Sequence, residues 1–266
     1  MRAMYVMPRQ PSSMGQVLDS TVHLFKLAYV PLLPLLIVSA LLALVPGAYL
    51  LIHGAPAGVK KSTDLLRDPQ YVMMLCAYLV VALPLHCAIY VRAESIARGR
   101  KIGIGAALWI ALRRLPVALA SSIFLVIAAG VGLVLLIIPC FILIVLFWMY
   151  LPAIMIDNHG VFDALSRSSQ LVWGNWWRTA RLIFVAGVFA YALYMFLAIT
   201  LGLSIVYLRP DRTTIQIFDF ASTVLIMASW IPFQIALTLE VYRDLKLRKD
   251  GDDLLERLSA FQPATA

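Results

Sequence analysis

The polar residues most capable of chemistry lie in apolar surroundings beside two prolines. His86 and Cys87 follow Pro84 closely, and Gln234 stands at the same offset from Pro232 as His86 does from Pro84. Proline removes a backbone N–H and opens a helical turn. An ionisable group beside such a turn in a membrane can form an ion or solute site, so His86, Cys87 and Gln234 are a candidate intramembrane polar site. The alternative is a neutral histidine that hydrogen-bonds a freed carbonyl and helps helices to pack.

Other patterns that carry chemistry are missing from the sequence. No two of the four histidines stand at metal-ligand spacing, such as the i, i+4 pair of a zinc helix. Gly130 and Gly132 lie in an apolar run without the Lys-Ser or Lys-Thr of a phosphate loop, and there is no Gly-x-Ser-x-Gly motif. We therefore expect no catalytic, metal-binding or cofactor-binding residues, and a protein that is not an enzyme.

The elements that position these residues are membrane-spanning helices. Residues 115–156 contain no Lys, Arg, Asp, Glu or His, and as one helix they would be about 63 Å long, roughly twice the hydrocarbon core of a bilayer. The segment must cross the membrane, turn and cross again, and Pro139 is the best position for the turn. Six spans are predicted in all, at residues 28–53, 70–91, 116–137, 140–156, 179–207 and 217–239.

The distribution of basic residues predicts the orientation. With both termini on one side, that side holds 17 of the 22 Lys and Arg residues, so the positive-inside rule places both termini in the cytoplasm. Because the basic residues lie in short loops between apolar runs, we expect anionic lipid headgroups as their neighbours and no binding of nucleic acid. We expect a single membrane domain over residues 1–266, with residues 1–27 as the cytoplasmic N-terminus, residues 28–242 as the bundle and residues 243–266 as a cytoplasmic tail.

Amphipathic segments precede spans one, three and five. They begin near Met14, Gly103 and Gly160, and their helical period predicts interfacial elbow helices. Prolines mark spans two, four and six, near their cytoplasmic ends. The predicted fold is therefore an all-α, six-span membrane protein with elbow helices before spans 1, 3 and 5, and with a possible three-fold repeat of helical hairpins.

Two groups of residues are candidates for interfacial contacts. Aromatic and basic residues near the starts of spans three and five are expected to anchor the protein at lipid headgroups, with ligand stacking on the tryptophans as the alternative; they are Trp173, Trp176, Trp177, Arg178, Arg181, Arg113 and Arg114. The tail continues span six as a charged helix that Gly251 can end, and a short amphipathic stretch follows it. A lid against the cytoplasmic face or a docking site for a protein partner is expected at Arg243, Lys246, Arg248, Lys249, Leu254, Leu255, Leu258 and Phe261.

Three segments, at residues 15–26, 163–177 and 242–254, resemble bacterial integral membrane proteins related to the membrane domain of glycerophosphoryl diester phosphodiesterases. The resemblance implies a six-helix bundle with cytoplasmic elbows in the bacterial inner membrane. It does not imply phosphodiesterase activity, because those enzymes carry a separate catalytic domain with His-Arg-Gly and paired Glu residues that this chain lacks.

Two functions follow as expectations. The first is a non-enzymatic inner-membrane protein that organises lipid or a protein partner, with envelope homeostasis as its setting. The alternative is a transporter, or a membrane subunit of one, with a solute or ion site near His86 and Gln234. A deep polar cavity at the level of Pro84 and Pro232 would favour transport, whereas a bundle packed with apolar side chains would favour the first function. The sequence does not indicate the oligomeric state.

Overall fold

The protein is all-helical throughout the part of the chain that the structure describes. This computed structural model describes residue 8 and residues 10–53, 65, 67–135, 137–208 and 211–261. The α-helices in these ranges are α1 (Met14–Ala43), α2 (Val45–His53), α3 (Pro69–Ala97), α4 (Ile104–Arg113), α5 (Leu115–Leu135), α6 (Ile137–Phe147), α7 (Tyr150–Asp157), α8 (Val161–Val172), α9 (Trp176–Leu208) and α10 (Arg212–Phe261).

Six helical segments are long and apolar enough to cross a membrane, which confirms the predicted multi-pass fold. The segments are Met14–Leu50, Pro69–Ala97, Leu115–Leu133, Ile138–Asp157, Trp176–Thr200 and Phe220–Gly251. Elbow helices precede the third and fifth segments, as α4 and α8. The first predicted elbow is different, because residues 14–26 are the beginning of α1 itself and no break separates them from the span.

Helix α1 pairs with α10 in antiparallel fashion along its length. Ser13 caps α1, with its hydroxyl accepting from the Gln16 N–H while its own N–H donates to the Gln16 side chain. Beside this cap the Ser12 N–H donates to Asp244 at 2.7 Å. Further along, the rings of Phe25 and Phe233 lie 6.1 Å apart. This pairing brings the first and last described helices together.

The helices follow one another around the bundle in a cyclic order. Helix α4 packs on α3, α8 packs on α6 and α7, and α1 packs on α10. Each elbow therefore contacts the returning span of the preceding hairpin, and α3, α7 and α10 also contact one another. Small residues allow the close approach, since Ala107 and Ala111 of α4 are fully buried. The three-fold repeat of hairpins itself stays a prediction.

The turn between α5 and α6 precedes Pro139. Helix α6 already begins at Ile137, so Pro139 is its third residue, where a missing N–H costs no intrahelical bond. The expectation that Pro139 itself makes the turn is therefore wrong by a few residues. Gly132 permits the tight hairpin, because a Cβ there would lie 3.0 Å from the backbone of Cys140.

The fourth span is broken in its middle, which the sequence analysis did not predict. Helix α6 ends at Phe147 and α7 begins at Tyr150, so that Pro152 occupies the first turn of α7. The buried Ser168 hydroxyl of α8 bridges the break: it donates to the Leu146 carbonyl at 2.7 Å and accepts from the Met149 N–H at 3.1 Å. The elbow helix thus supplies hydrogen bonds that the interrupted span cannot make within itself.

The prolines that lie inside predicted spans two and six also lie inside continuous helices in the structure. Helix α3 continues through Pro84, and α10 continues through both Pro232 and Gly251. The expectation that Gly251 ends the helix is wrong. Helix α10 has 50 residues, or about 75 Å of length, so it extends well past a 30 Å hydrocarbon core.

The interior is concentrated at one end of the bundle. We call this the charged end, defined by Glu94, Asp157, Arg178 and Arg243; the opposite part is the open end. Buried runs near the charged end include residues 87–91 of α3, 151–155 of α7 and 235–242 of α10. Toward the open end, α9 exposes large side chains such as Phe189, Phe196 and Tyr207.

We predict that Ser168→Ala lowers the free energy of unfolding by about 1–3 kcal/mol, because it removes both bridging hydrogen bonds in a buried setting. Reversible unfolding in mixed detergent micelles, followed by circular dichroism, measures this loss. Ser166→Ala, on the exposed face of the same helix, should change stability by less than about 0.5 kcal/mol. Equal losses for the two variants would contradict the bridging role.

Candidate functional site

The charged end is organised around residues 240–250 of α10. Arg243 donates to Glu240 at 2.6 Å and also to Glu94 of α3. Glu94 in turn accepts from the Nε of Arg98 at 2.6 Å. The side chains of Arg243, Glu94 and Glu240 are only 11%, 10% and 1% exposed. Two guanidinium groups thus neutralise two carboxylates within the packed interior.

A second group of ion pairs holds the start of the chain. Asp244 is 4% exposed, and it accepts from Arg178 of α9 at 3.0 Å and from Arg248 at 3.0 Å. The same two arginines donate to the Ser12 carbonyl, at 2.6 and 2.7 Å. Together with the Ser12 N–H bonded to Asp244, these bonds fix the entry to α1 against α9 and α10.

Two further pairs reach α7 and α8. Asp157, at the end of α7, accepts from the Tyr242 hydroxyl at 2.6 Å and from the Lys246 ammonium at 2.8 Å. Arg167 of α8 donates to Asp250 at 3.0 Å. Helix α10 is therefore linked by polar side chains to α3, α7, α8 and α9. It is also linked to Ser12, two residues before α1. We call all these pairs the α10 network.

The network corrects part of the tail prediction. Arg243, Lys246 and Arg248 were expected to offer charge to a partner, but they are engaged with carboxylates of the chain itself. Lys249 is exposed and keeps its predicted position on the surface. Four further residues were predicted to complete the docking surface, and the structure describes their backbone in α10 but not their side chains; they are Leu254, Leu255, Leu258 and Phe261.

The predicted headgroup anchors divide in the same way. Trp173 and Trp177 are each 73% exposed. Arg181 of α9 and Arg113 at the end of the elbow α4 are exposed as well. Trp176 instead turns inward, with its ring 5.8 Å from that of Phe141.

Arg178 and Arg114 also bond within the chain. Arg178 belongs to the α10 network, so the expectation that it anchors headgroups is wrong. Arg114 donates to the Ile154 carbonyl at 2.5 Å, which satisfies one of the last carbonyls of α7. Partial burial, with Arg113 adjacent, lowers the pKa of the Arg114 guanidinium.

The residues of the predicted intramembrane site do not line one cavity. His86 lines a cavity of about 240 Å³ between α1, α3 and α10, where Ser39 and Tyr78 are the other polar lining residues. Its ring lies 5.4 Å from that of Tyr90. Cys87 is fully buried, and Gln234 does not line this cavity. Among the described residues no group of three or more His, Cys, Asp or Glu side chains could hold a metal ion.

A different cavity lies at the charged end. Its volume is about 300 Å³, and α3, α4, α7 and the loop between α3 and α4 form its walls. Three arginines line it, namely Arg98, Arg100 and Arg114, together with Glu94 and apolar side chains. Sequence analysis counted Arg98 and Arg100 only as part of a basic loop, whereas it named Arg114 as a candidate headgroup anchor. The signal that could have separated them is the Arg98-Gly99-Arg100 triplet directly after a helix.

The family model of a domain of unknown function, DUF7847, matches residues 3–245. The chain belongs to this family. The match takes in the first five spanning segments and most of the sixth, and it ends at Leu245 within the α10 network. No curated protein matches the chain, and no solved structure does. The predicted resemblance to the phosphodiesterase membrane domain stays a prediction, because the matching family carries no functional description.

We predict that Arg243→Gln strongly destabilises the protein, by about 3–5 kcal/mol, because Glu94 and Glu240 would then face each other in the interior with one cation fewer. The midpoint of thermal unfolding in detergent measures the effect. Lys249→Gln removes an exposed cation from the same helix and should leave that midpoint unchanged. Similar midpoints for the two variants would show that the network does not hold the helices together.

Proposed function

We propose that this protein is a non-enzymatic protein of the bacterial inner membrane that organises anionic lipid, with its charged end and both termini on the cytoplasmic side. The orientation follows from the excess of Lys and Arg at that end. Under this proposal the elbow helices lie in the cytoplasmic headgroup region, and the exposed side chains of the spans face the hydrocarbon core.

The observation that carries the proposal is the outward set of aromatic and basic side chains on and beside the elbows. Trp109 of α4 is 67% exposed and Phe162 of α8 is 74% exposed, in addition to Trp173 and Trp177. Such rings favour the membrane interface. Arg113 and Arg181 have no acidic partner among the described residues. These two positive charges are therefore available to anionic headgroups, unlike the arginines of the α10 network.

Transport is the alternative function expected from the sequence. The cavity at His86 supports it less than the exposed rings and arginines support lipid organisation. It is small, most of its lining residues are apolar, and Gln234 is not among them. Between this level and the charged end lie the buried residues of α3, α7 and α10. This apolar packing is compatible with the lipid-organising function, whereas a transporter needs a polar path in some state.

We predict that the full chain, reconstituted in vesicles of phosphatidylcholine with about one third phosphatidylglycerol, keeps a phosphatidylglycerol-enriched shell after extraction into polymer-bounded discs. The doubly neutralised variant Arg113→Gln/Arg181→Gln should lose most of this enrichment, because each interfacial charge contributes about 1 kcal/mol of attraction. Lipid extraction and quantification per protein measure the ratio.

Lys249→Gln shows whether the tail contributes, since Lys249 lines a cavity with Trp173 beside the elbow α8; enrichment that persists in this variant assigns the effect to Arg113 and Arg181. Raising the salt to about 0.5 M should reduce the enrichment of the unchanged chain as well, through screening. A lipid shell with the bulk composition would overturn the proposed function.

A further inference from the structure

The cavity that Arg98, Arg100 and Arg114 line has the features of a binding site for a phosphate group. It lies between two spans and an elbow, at the level where α3 and α7 both end. This inference rests on the proposed function, since it gives the lipid-organising surface one specific site.

The end of α3 fixes the positions of two of the three arginines. Gly99 has a positive φ of 68°, and the N–H groups of Gly99 and Arg100 donate to the carbonyls of Ile96 and Ser95, at 2.9 and 2.7 Å. This is a Schellman motif, which requires a residue without a Cβ penalty at the left-handed position. The backbone therefore satisfies the end of the helix by itself, and the arginine side chains are not needed as caps.

The charge of the cavity is positive after the internal pairs are considered. Glu94 is its one acidic lining residue, and both of its oxygens are engaged, by Arg98 and by Arg243. Arg114 uses one nitrogen for the Ile154 carbonyl, which leaves other donors of its guanidinium. Arg100 is exposed, and no side-chain partner is described for it. Arginine donors in a fork match the oxygens of a phosphate.

The remaining walls indicate the source of that phosphate. Five apolar residues share the cavity with the arginines, and they come from α3, the α3–α4 loop, α4 and α7: Val91, Ile102, Ile110, Met155 and Ile156. Inorganic phosphate or a glycerol phosphate has no apolar group to place against these side chains. A phospholipid fits both parts, because its glycerol and upper acyl carbons lie next to the phosphate.

We infer that this cavity binds the phosphate of an anionic phospholipid, with Arg100 and Arg114 as the donors and the apolar walls against the glycerol backbone. The site holds one lipid in a saturable manner. It differs in this from the annular attraction of Arg113 and Arg181, which acts on every anionic lipid that passes the elbows.

Native mass spectrometry of the full chain in detergent tests the inference, with phosphatidylglycerol titrated against phosphatidylcholine. We expect one phosphatidylglycerol to bind before any others. Arg100→Gln should weaken this first step about tenfold, the equivalent of losing one charge-assisted hydrogen bond. Arg113→Gln is the matched control, because it removes an exposed arginine that does not line the cavity; it should change the first step less than about twofold.

Equal weakening by Arg100→Gln and Arg113→Gln would overturn the site while leaving general lipid attraction, and so the proposed function, intact. A first step without preference for phosphatidylglycerol would overturn the site, and a shell without enrichment in the disc experiment would independently overturn the function. Glycerol 1-phosphate distinguishes the sources of the phosphate. If it displaces the lipid at equal concentration, the apolar walls contribute nothing and a soluble phosphate is the ligand; weak displacement supports the lipid.

Discussion

The rest of the structure depends on the need to neutralise carboxylates inside a packed bundle. Glu94, Glu240 and Asp244 are nearly inaccessible, and an unpaired charge in such a place is far more costly than any single packing contact is favourable. Each therefore requires a cation at hydrogen-bond distance. Because those cations come from the end of α3, from α9 and from α10, the ion pairs favour an arrangement in which these helices meet.

The need to neutralise these carboxylates explains which helices pair with one another, and hydrophobic packing does not. Spans in a membrane gain little from burying apolar surface against one another, since lipid tails are equally apolar. Small residues such as Ala107 and Ala111 permit close approach, but similar residues occur in several helices and do not determine which pairs meet. Paired charges do discriminate: Asp157 selects Tyr242 and Lys246, and Asp250 selects Arg167. Apolar replacements of similar volume could be as stable, so we attribute to the network the order of the helices more than their stability.

The sequence predicted the helices better than it predicted the candidate site. The length of the uncharged run at residues 115–156 fixed the number of crossings, because a bilayer sets the length of each span. The break at Trp148 and Met149 was not predictable, since it depends on Ser168 of another helix. The expectation that Gly251 ends the tail helix also failed, because a single glycine lowers helix propensity without stopping a helix that the residues on both sides continue.

The arginines show why charge counting stops short of a site. The ion pairs of the α10 network join six cations to five carboxylates, so the network accounts for one unit of the formal net charge of +8. The remaining excess belongs to residues outside it, among them Arg100, Arg113 and Arg181. Nothing in the sequence separates Arg178 from Arg181, which are three residues apart, yet one pairs with Asp244 and the other is exposed. Tertiary structure thus divides a uniform-looking basic surface into cations that hold the fold and cations that are left for lipid, and the second group is where function should be sought.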